Sequence, residues 1–138
     1  MIVQTQSWQE VTRFYRDIAG KNSFFRPMMA LAEQIAASKY SSGLCPWTSM
    51  NTLCVSEIPE ADSDKEVLRI SLDPRDGVLV YDFQETGSTL PKYQHRIRRC
   101  SPDEGFSRFE RFVQLKKCLW TGRCLDECYG CDKSGRTR

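Results

Sequence analysis

The sequence predicts an α+β domain, in which an antiparallel sheet of three to four strands has helices packed on one face and a cysteine-rich C-terminal tail follows. Three observations predict this class. Apolar residues recur at helical spacing before residue 40, alternate with polar residues between 68 and 83, and return to helical spacing after residue 101. With 138 residues, the chain has the length of one domain with a single core. We therefore expect the element order ααβ(β)ββα over 1–120 and a basic tail over 121–138.

Capping residues and apolar spacing predict two N-terminal helices. The first covers 8–19, with Ser7 as its cap and Glu10 at the third helical position, which together form a capping box. The second covers 24–40 and begins near Pro27, because proline is tolerated in a first turn. The connection between them is short, so the helices are expected to be antiparallel neighbours.

Period-two alternation predicts a β-hairpin in the middle of the chain. Apolar and polar side chains alternate over 68–72 and again over 79–83, and Pro74 and Gly77 lie between the two segments. Proline favours a turn, and glycine readily adopts a positive φ. Other segments in this region are predicted as strands, at 52–56 and 93–100, and as an acidic loop, at 58–64.

The third predicted helix begins at Ser101, which is followed by Pro102 in the first turn and by Glu104 as the capping-box glutamate. Apolar residues recur along one side of this helix: Phe106, Phe109, Phe112, Val113 and Trp120.

The sequence leaves the role of Trp47 open. Its side chain is compatible either with a place in the core or with an exposed contact to a partner.

Composition and cysteine usage predict the cellular setting. No apolar run approaches the ~18–20 residues that span a bilayer, and the N-terminus lacks the pattern of a secretory signal. The chain has seven cysteines, an odd number, whereas disulfide-stapled secreted proteins usually carry an even one. We therefore expect a cytoplasmic protein without a membrane partner, in which Cys54 and Cys100 are small buried hydrophobic residues.

Four cysteines near the C-terminus are the candidate metal ligands. Cys124, Cys128 and Cys131 have the spacing C-x3-C-x2-C, and Cys118 lies six positions before them. Four thiolates can hold Zn²⁺ tetrahedrally. Structural zinc sites usually consist of two separated pairs, however, so free thiols on a tail are the competing interpretation. No cofactor other than this zinc is expected.

The C-x3-C-x2-C string is similar to the cluster motif of the radical S-adenosylmethionine enzymes. In that family the motif implies an iron–sulfur cluster near the start of a large partial barrel. Here only seven residues follow it, so we do not expect such a barrel to form around it.

Charge distribution suggests a second candidate site. Residues 1–91 carry 8 basic and 12 acidic side chains, whereas residues 92–138 carry 12 basic and 6 acidic ones. Arg96 and Arg98 lie on a predicted strand, where they suit either phosphate binding or ion pairs across the sheet. The predicted binding surface combines them with two residues of the hairpin, Arg69 and Val80.

The sequence predicts a binding protein rather than an enzyme. It contains no phosphate loop or dinucleotide fingerprint, and His95 is the only histidine. We therefore expect a small non-enzymatic module that binds another protein, and a homodimer is also compatible with the pattern. The alternative is a zinc-stabilised nucleic-acid-binding protein that uses the basic C-terminal third.

Overall fold

A computed structural model describes residues 2–62, 67–85 and 94–121. The chain forms two compact units, Met1–Gly105 and Phe106–Arg138. The described residues form three α-helices: α1 (Trp8–Lys21), α2 (Arg26–Ala36) and α3 (Gly105–Thr121). They also form seven strands: β1 (Ile2–Gln4), β2 (Cys45–Ser49), β3 (Thr52–Ser56), β4 (Glu60–Asp62), β5 (Leu68–Leu72), β6 (Leu79–Glu85) and β7 (Gln94–Cys100).

The α+β class is confirmed, but the strand count and element order differ from the prediction. The main sheet has five antiparallel strands in the order β2-β3-β5-β6-β7, and β1 pairs with β4 in a separate two-stranded ribbon. Strands β1 and β4 have only three residues each, too few for an alternation to be visible in the sequence. The predicted acidic loop at 58–64 therefore contains β4.

Local capping explains where the N-terminal helices begin and end. Ser7 Oγ accepts from Glu10 N at 3.1 Å, and Glu10 Oε1 accepts from Ser7 N at 2.8 Å, which confirms the predicted capping box. Helix α2 ends at Ala36 rather than at residue 40, because Ser38 caps a new 3-10 turn by accepting from Tyr40 N.

Helix α2 lies on the first face of the main sheet. We define this face by the cross-strand rows Leu53–Ile70–Tyr81 and Leu72–Leu79. The Cδ1 atoms of Leu31, on α2, and Leu79 converge on Gly105, and Tyr81 donates to the Gly105 carbonyl at 2.5 Å. Buried aliphatic and aromatic side chains from both layers thus form the main core.

Two side-chain hydrogen bonds hold helix α1 next to the β2–β3 hairpin, one from its first residue and one from its middle. Trp8 Nε1 donates to the carbonyl of Leu44 at 3.0 Å, and Tyr15 Oη donates to the carbonyl of Asn51 at 3.1 Å. Because Trp8 and Tyr15 are buried, each hydrogen bond satisfies a polar atom that would otherwise lack a partner in the core. None of the described helices has the length and apolar character to cross a membrane.

The second unit is described only as far as Thr121 and consists there of α3. Phe109 and Val113 are buried, as the predicted apolar side requires. The rings of Phe106 and Phe109 stack at a centroid distance of 6.4 Å. The predicted tail at 121–138 lies outside the described residues, apart from Thr121.

Candidate binding site on the second face and edge of the sheet

The second face of the main sheet carries a mixture of apolar and charged residues. Directly paired residues in an antiparallel sheet point to the same side, so the register defines two rows on this face: Trp47–Cys54–Arg69–Asp82–Ile97 and Ser71–Val80–Arg99.

The chain itself covers one half of this face. Trp47 and Cys54 are buried together with Val67, and Val3 of β1 packs against them. The predicted buried character of Cys54 and Cys100 is confirmed. Trp47 is therefore a core anchor, and burial raises the pKa of the Cys54 thiol to about 11.

The other half of the face extends to the β7 edge of the sheet, where its residues are exposed. We call this region the outer half and define it as the residues Arg69, Ser71, Val80, Asp82, Ile97 and Arg99. Ile97 is 52% exposed, one of the few large apolar side chains of the described residues on the surface. Arg69, Val80 and Asp82 are half-buried. Arg69 and Asp82 lie directly opposite each other on β5 and β6, an arrangement in which unlike charges attract.

An ion network borders the outer half. Asp73 is only 7% exposed, and its carboxylate accepts from Arg75 Nη2 at 2.9 Å and from Arg99 Nη1 at 2.7 Å. The hydrogen bonds from Arg75 and Arg99 hold the pKa of this carboxyl well below its usual range. Arg99 also donates to Asp76 at 2.8 Å. The guanidinium of Arg99 is therefore fixed in place at the end of β7.

The two edges of the main sheet differ. At the β2 edge, Gln6 N donates to Pro46 O at 2.7 Å and Gln6 Oε1 accepts from Thr48 N at 3.2 Å. Pro46 has no N–H to offer, so this edge is closed to a further strand. At the β7 edge, Ile97 O accepts from the side chain of the adjacent residue, Arg98 Nη1, at 2.9 Å.

The register divides the predicted binding surface into two pairs. Arg69 and Val80 lie on the second face. Arg96 and Arg98 pair with Phe83 and Tyr81 and therefore belong to the first face. The four residues therefore do not share one face of the sheet, and whether they bind a partner stays a prediction.

The candidate metal and catalytic residues are mostly outside the described part of the chain. Cys118 lies on α3, whereas Cys124, Cys128 and Cys131 lie outside the described residues, so the zinc site stays a prediction. His95 lies on β7 opposite Gln84. Among the described residues there is no group of three or more histidine, cysteine or acidic side chains that could hold a metal.

Sequence reasoning missed Ile97 and the ion network. Alternation along a strand places Ile97 on the same side as Arg99, but it gives no sign that this part of the face is uncovered. Asp73 and Asp76 lie in the turn between β5 and β6, where Arg75 N donates to Asp73 Oδ1 and Val78 N donates to Asp76 Oδ1. Their contact with Arg99 depends on the pairing of β6 with β7.

Comparison with protein families, curated proteins and solved structures found no match for this chain.

Proposed function

We propose that this chain is a small non-enzymatic module that binds another protein through the outer half of the second face. The observation that carries the proposal is the contrast within one sheet face. Val3 of β1 packs against the buried Trp47, whereas Ile97, in the same cross-strand row, is 52% exposed. Large apolar side chains surrounded by charged ones are typical of protein interfaces.

The arrangement of the outer half supports binding rather than turnover. Val80 and Ile97 supply apolar area, and Arg69 and Arg99 supply charge around it. The carboxylate of Asp73, beside the outer half, accepts hydrogen bonds from Arg75 and Arg99. Because these hydrogen bonds lower its pKa, Asp73 is a poor general base near neutral pH. A surface that combines an exposed apolar residue with charged neighbours suits a macromolecular partner.

A matched pair of substitutions tests this proposal. The chain, carrying a photoreactive side chain at position 80, is cross-linked in extract of its source cells, and the captured protein is then purified and titrated by calorimetry. Ile97→Ser removes apolar area from the outer half. Ile58→Ser is the control, because Ile58 is 57% exposed but lies in the loop after β3.

We expect Ile97→Ser to weaken binding of the purified partner at least tenfold, which corresponds to a loss of about 1.4 kcal/mol or more of binding free energy. Ile58→Ser should bind like the unsubstituted chain. Equal affinity of the two variants would show that the partner does not use the outer half and would overturn the proposal.

The alternative function, a zinc-stabilised nucleic-acid-binding protein, depends on Arg96 and on the C-terminal cysteines. It therefore rests on the sequence pattern, and metal analysis is its direct test. A cytoplasmic location is likewise part of the proposal and rests on the cysteine count.

A further inference from the structure

We propose that the outer edge of β7 accepts an extended acidic segment of the partner protein as a sixth strand of the main sheet. This inference rests on the proposed function and names both the binding mode and the chemistry of the partner. Within residues 2–62, 67–85 and 94–121, no strand pairs with this edge. Addition of a strand to an exposed sheet edge is a recurrent mode of peptide recognition.

The hydrogen-bond pattern shows which groups of β6 face β5. Asp73 N donates to Val78 O at 2.9 Å, so these two residues form a hydrogen-bonded pair at the end of the β5–β6 hairpin. Hydrogen-bonded and non-bonded pairs alternate along an antiparallel ladder. The backbone groups of Val80 and Asp82 therefore face β5 as well. The alternate residues of β6, among them Tyr81, face β7.

The same alternation identifies the outward-facing groups of β7. Tyr81 pairs with Arg98, so the backbone groups of Arg98 face β6. The N–H and C=O groups of Ile97 and Arg99 consequently point away from the sheet. The hydrogen bond from Arg98 Nη1 to Ile97 O at 2.9 Å is an independent sign of this orientation, because a side chain at the edge reaches an outward carbonyl. Arg98 occupies an acceptor that an added strand would use.

Charge selects an acidic occupant over a second copy of this chain. Antiparallel pairing of two β7 strands about Ile97 would place Arg96 opposite Arg98 of the second copy, and like charges directly opposite each other destabilise a strand pair. An acidic side chain opposite Arg98 would instead draw this guanidinium away from Ile97 O and free the carbonyl for a main-chain hydrogen bond.

The two faces of β7 fix the pattern of the added strand. Residues opposite Ile97 would lie on the second face beside its half-exposed side chain, so they should be apolar. Residues opposite Arg96 and Arg98 would lie on the other face, so they should be acidic. The partner segment is therefore expected to alternate apolar and acidic residues over about five positions, the length that spans residues 95–99.

Synthetic peptides test this inference without knowledge of the natural partner. A fluorescent heptapeptide of alternating valine and glutamate is titrated with the full chain and followed by anisotropy. We expect saturable binding that weakens as salt concentration rises, because exposed ion pairs are screened. The matched peptide with lysine in place of glutamate should bind at least tenfold more weakly.

N-methylation distinguishes strand addition from contact with the face alone. The valines opposite Ile97 and Arg99 would direct their N–H groups toward β7, and the glutamates would direct theirs away. Methylating the valine nitrogens should abolish binding, whereas methylating the glutamate nitrogens should leave it within a few-fold. Equal effects of the two modifications would overturn the inference.

Substitutions in the chain give the reciprocal test. Ile97→Pro removes an N–H that faces outward, a position where edge strands tolerate proline. It should keep a cooperative thermal transition and lose the peptide, whereas Ile97→Thr, which retains the N–H, should keep measurable binding. Arg98→Ala should abolish the preference for glutamate over lysine peptides, and Arg13→Ala, on the exposed side of α1, should not.

The outcomes separate this inference from the proposed function. Suppose that Ile97→Ser weakens binding of the captured partner, but methylation of the valine nitrogens does not weaken binding of the peptide. The chain then binds through the outer half of its second face, and strand addition is wrong. If the valine–glutamate peptide does not bind, or if the chain sediments as a dimer that Arg98→Ala strengthens, an acidic occupant is wrong.

Discussion

Arg99 on β7 donates from Nη1 to Oδ2 of Asp73 at 2.7 Å, although the two residues are 26 positions apart in the chain. This contact fastens the edge strand to the turn between β5 and β6. Its partner is a carboxylate that is only 7% exposed and that also accepts three hydrogen bonds from Arg75. The turn therefore does more than reverse the chain, because it holds the end of the strand that we propose as the binding edge.

The Asp73 network should make stability depend on pH in the acid range. The pKa of Asp73 is lowered in the folded chain, so the stabilising effect is fully present above the unfolded value of about 3.9. It is lost progressively as the pH falls below that value toward the folded pKa. We expect Asp73→Asn to be less stable than the unsubstituted chain at pH 7 and to show a smaller loss on acidification.

Urea unfolding at neutral pH and at about pH 3 measures this difference. Asp17→Asn, in an exposed position on α1, is the matched control and should follow the pH profile of the unsubstituted chain. Parallel profiles for Asp73→Asn and the unsubstituted chain would show that the network does not couple folding to protonation.

A substitution in the turn between β2 and β3 should stabilise the folded chain. Met50 and Asn51 have φ values of 49° and 72°, so both central residues adopt the conformation of a type I′ turn. Methionine is unfavourable there, and it is also 96% exposed. Met50→Asn, which suits a positive φ, should raise the free energy of unfolding by about 0.5–1 kcal/mol.

Chemical denaturation of Met50→Asn and Met50→Leu tests this expectation. Leucine has the same conformational penalty as methionine, so Met50→Leu should show no gain. The bond from Tyr15 to Asn51 O involves the backbone and is kept in both variants. A destabilised Met50→Asn would mean that Met50 has a favourable contact that its exposure conceals.

This turn also shows what the sequence could and could not predict. The β5–β6 hairpin was predictable because Pro74 and Gly77 mark its turn, and Gly77 does have a positive φ of 73°. The β2–β3 hairpin carries no glycine, and β2 contains Pro46, which argues against a strand. The structure tolerates this proline because its missing N–H would point away from β3, where Gln6 contacts the edge instead.

The candidate site was only partly accessible to sequence reasoning for a similar reason. Alternation along β7 places Ile97 and Arg99 on one face and Arg96 and Arg98 on the other, in agreement with the register. It could not show that Val3 of β1 packs against Trp47 and Cys54 on the second face, because that contact arises through tertiary packing alone. The exposure of Ile97 likewise depends on which part of the second face the rest of the chain covers, and alternation within one strand does not show this.

The alternative function, a zinc-stabilised nucleic-acid-binding protein, predicts bound zinc in the purified protein. If four thiolates bind the metal, protein purified without chelator should contain one zinc per chain by mass spectrometry, since deprotonated cysteines hold zinc tightly at neutral pH. Replacing Cys124 and Cys128 together by serine should remove it. Cys45→Ser, at a half-buried free thiol on β2, is the control and should leave the zinc content unchanged. Metal-free protein would exclude this alternative.

Gly105 should be intolerant of even one added carbon. A Cβ at this position would lie 2.6 Å from Leu79 Cδ1 and 3.6 Å from Leu31 Cδ1. Leu79 is fully buried and has little room to move. We expect Gly105→Ala to cost about 1–3 kcal/mol through overpacking, although alanine favours helices. Gly20→Ala on α1 is the control, because no atom lies within 4 Å of its Cβ, and it should be neutral or stabilising.

A double-mutant cycle with Leu79→Ala separates overpacking from other causes. Leu79→Ala alone should cost about 2–5 kcal/mol by leaving a cavity. Because the alanine at 105 would occupy part of that cavity, the double variant should be more stable than the sum of the two single effects predicts. Strict additivity in denaturant unfolding would mean that the added Cβ does not meet Leu79, and the close approach between Gly105 and β6 would then be wrong.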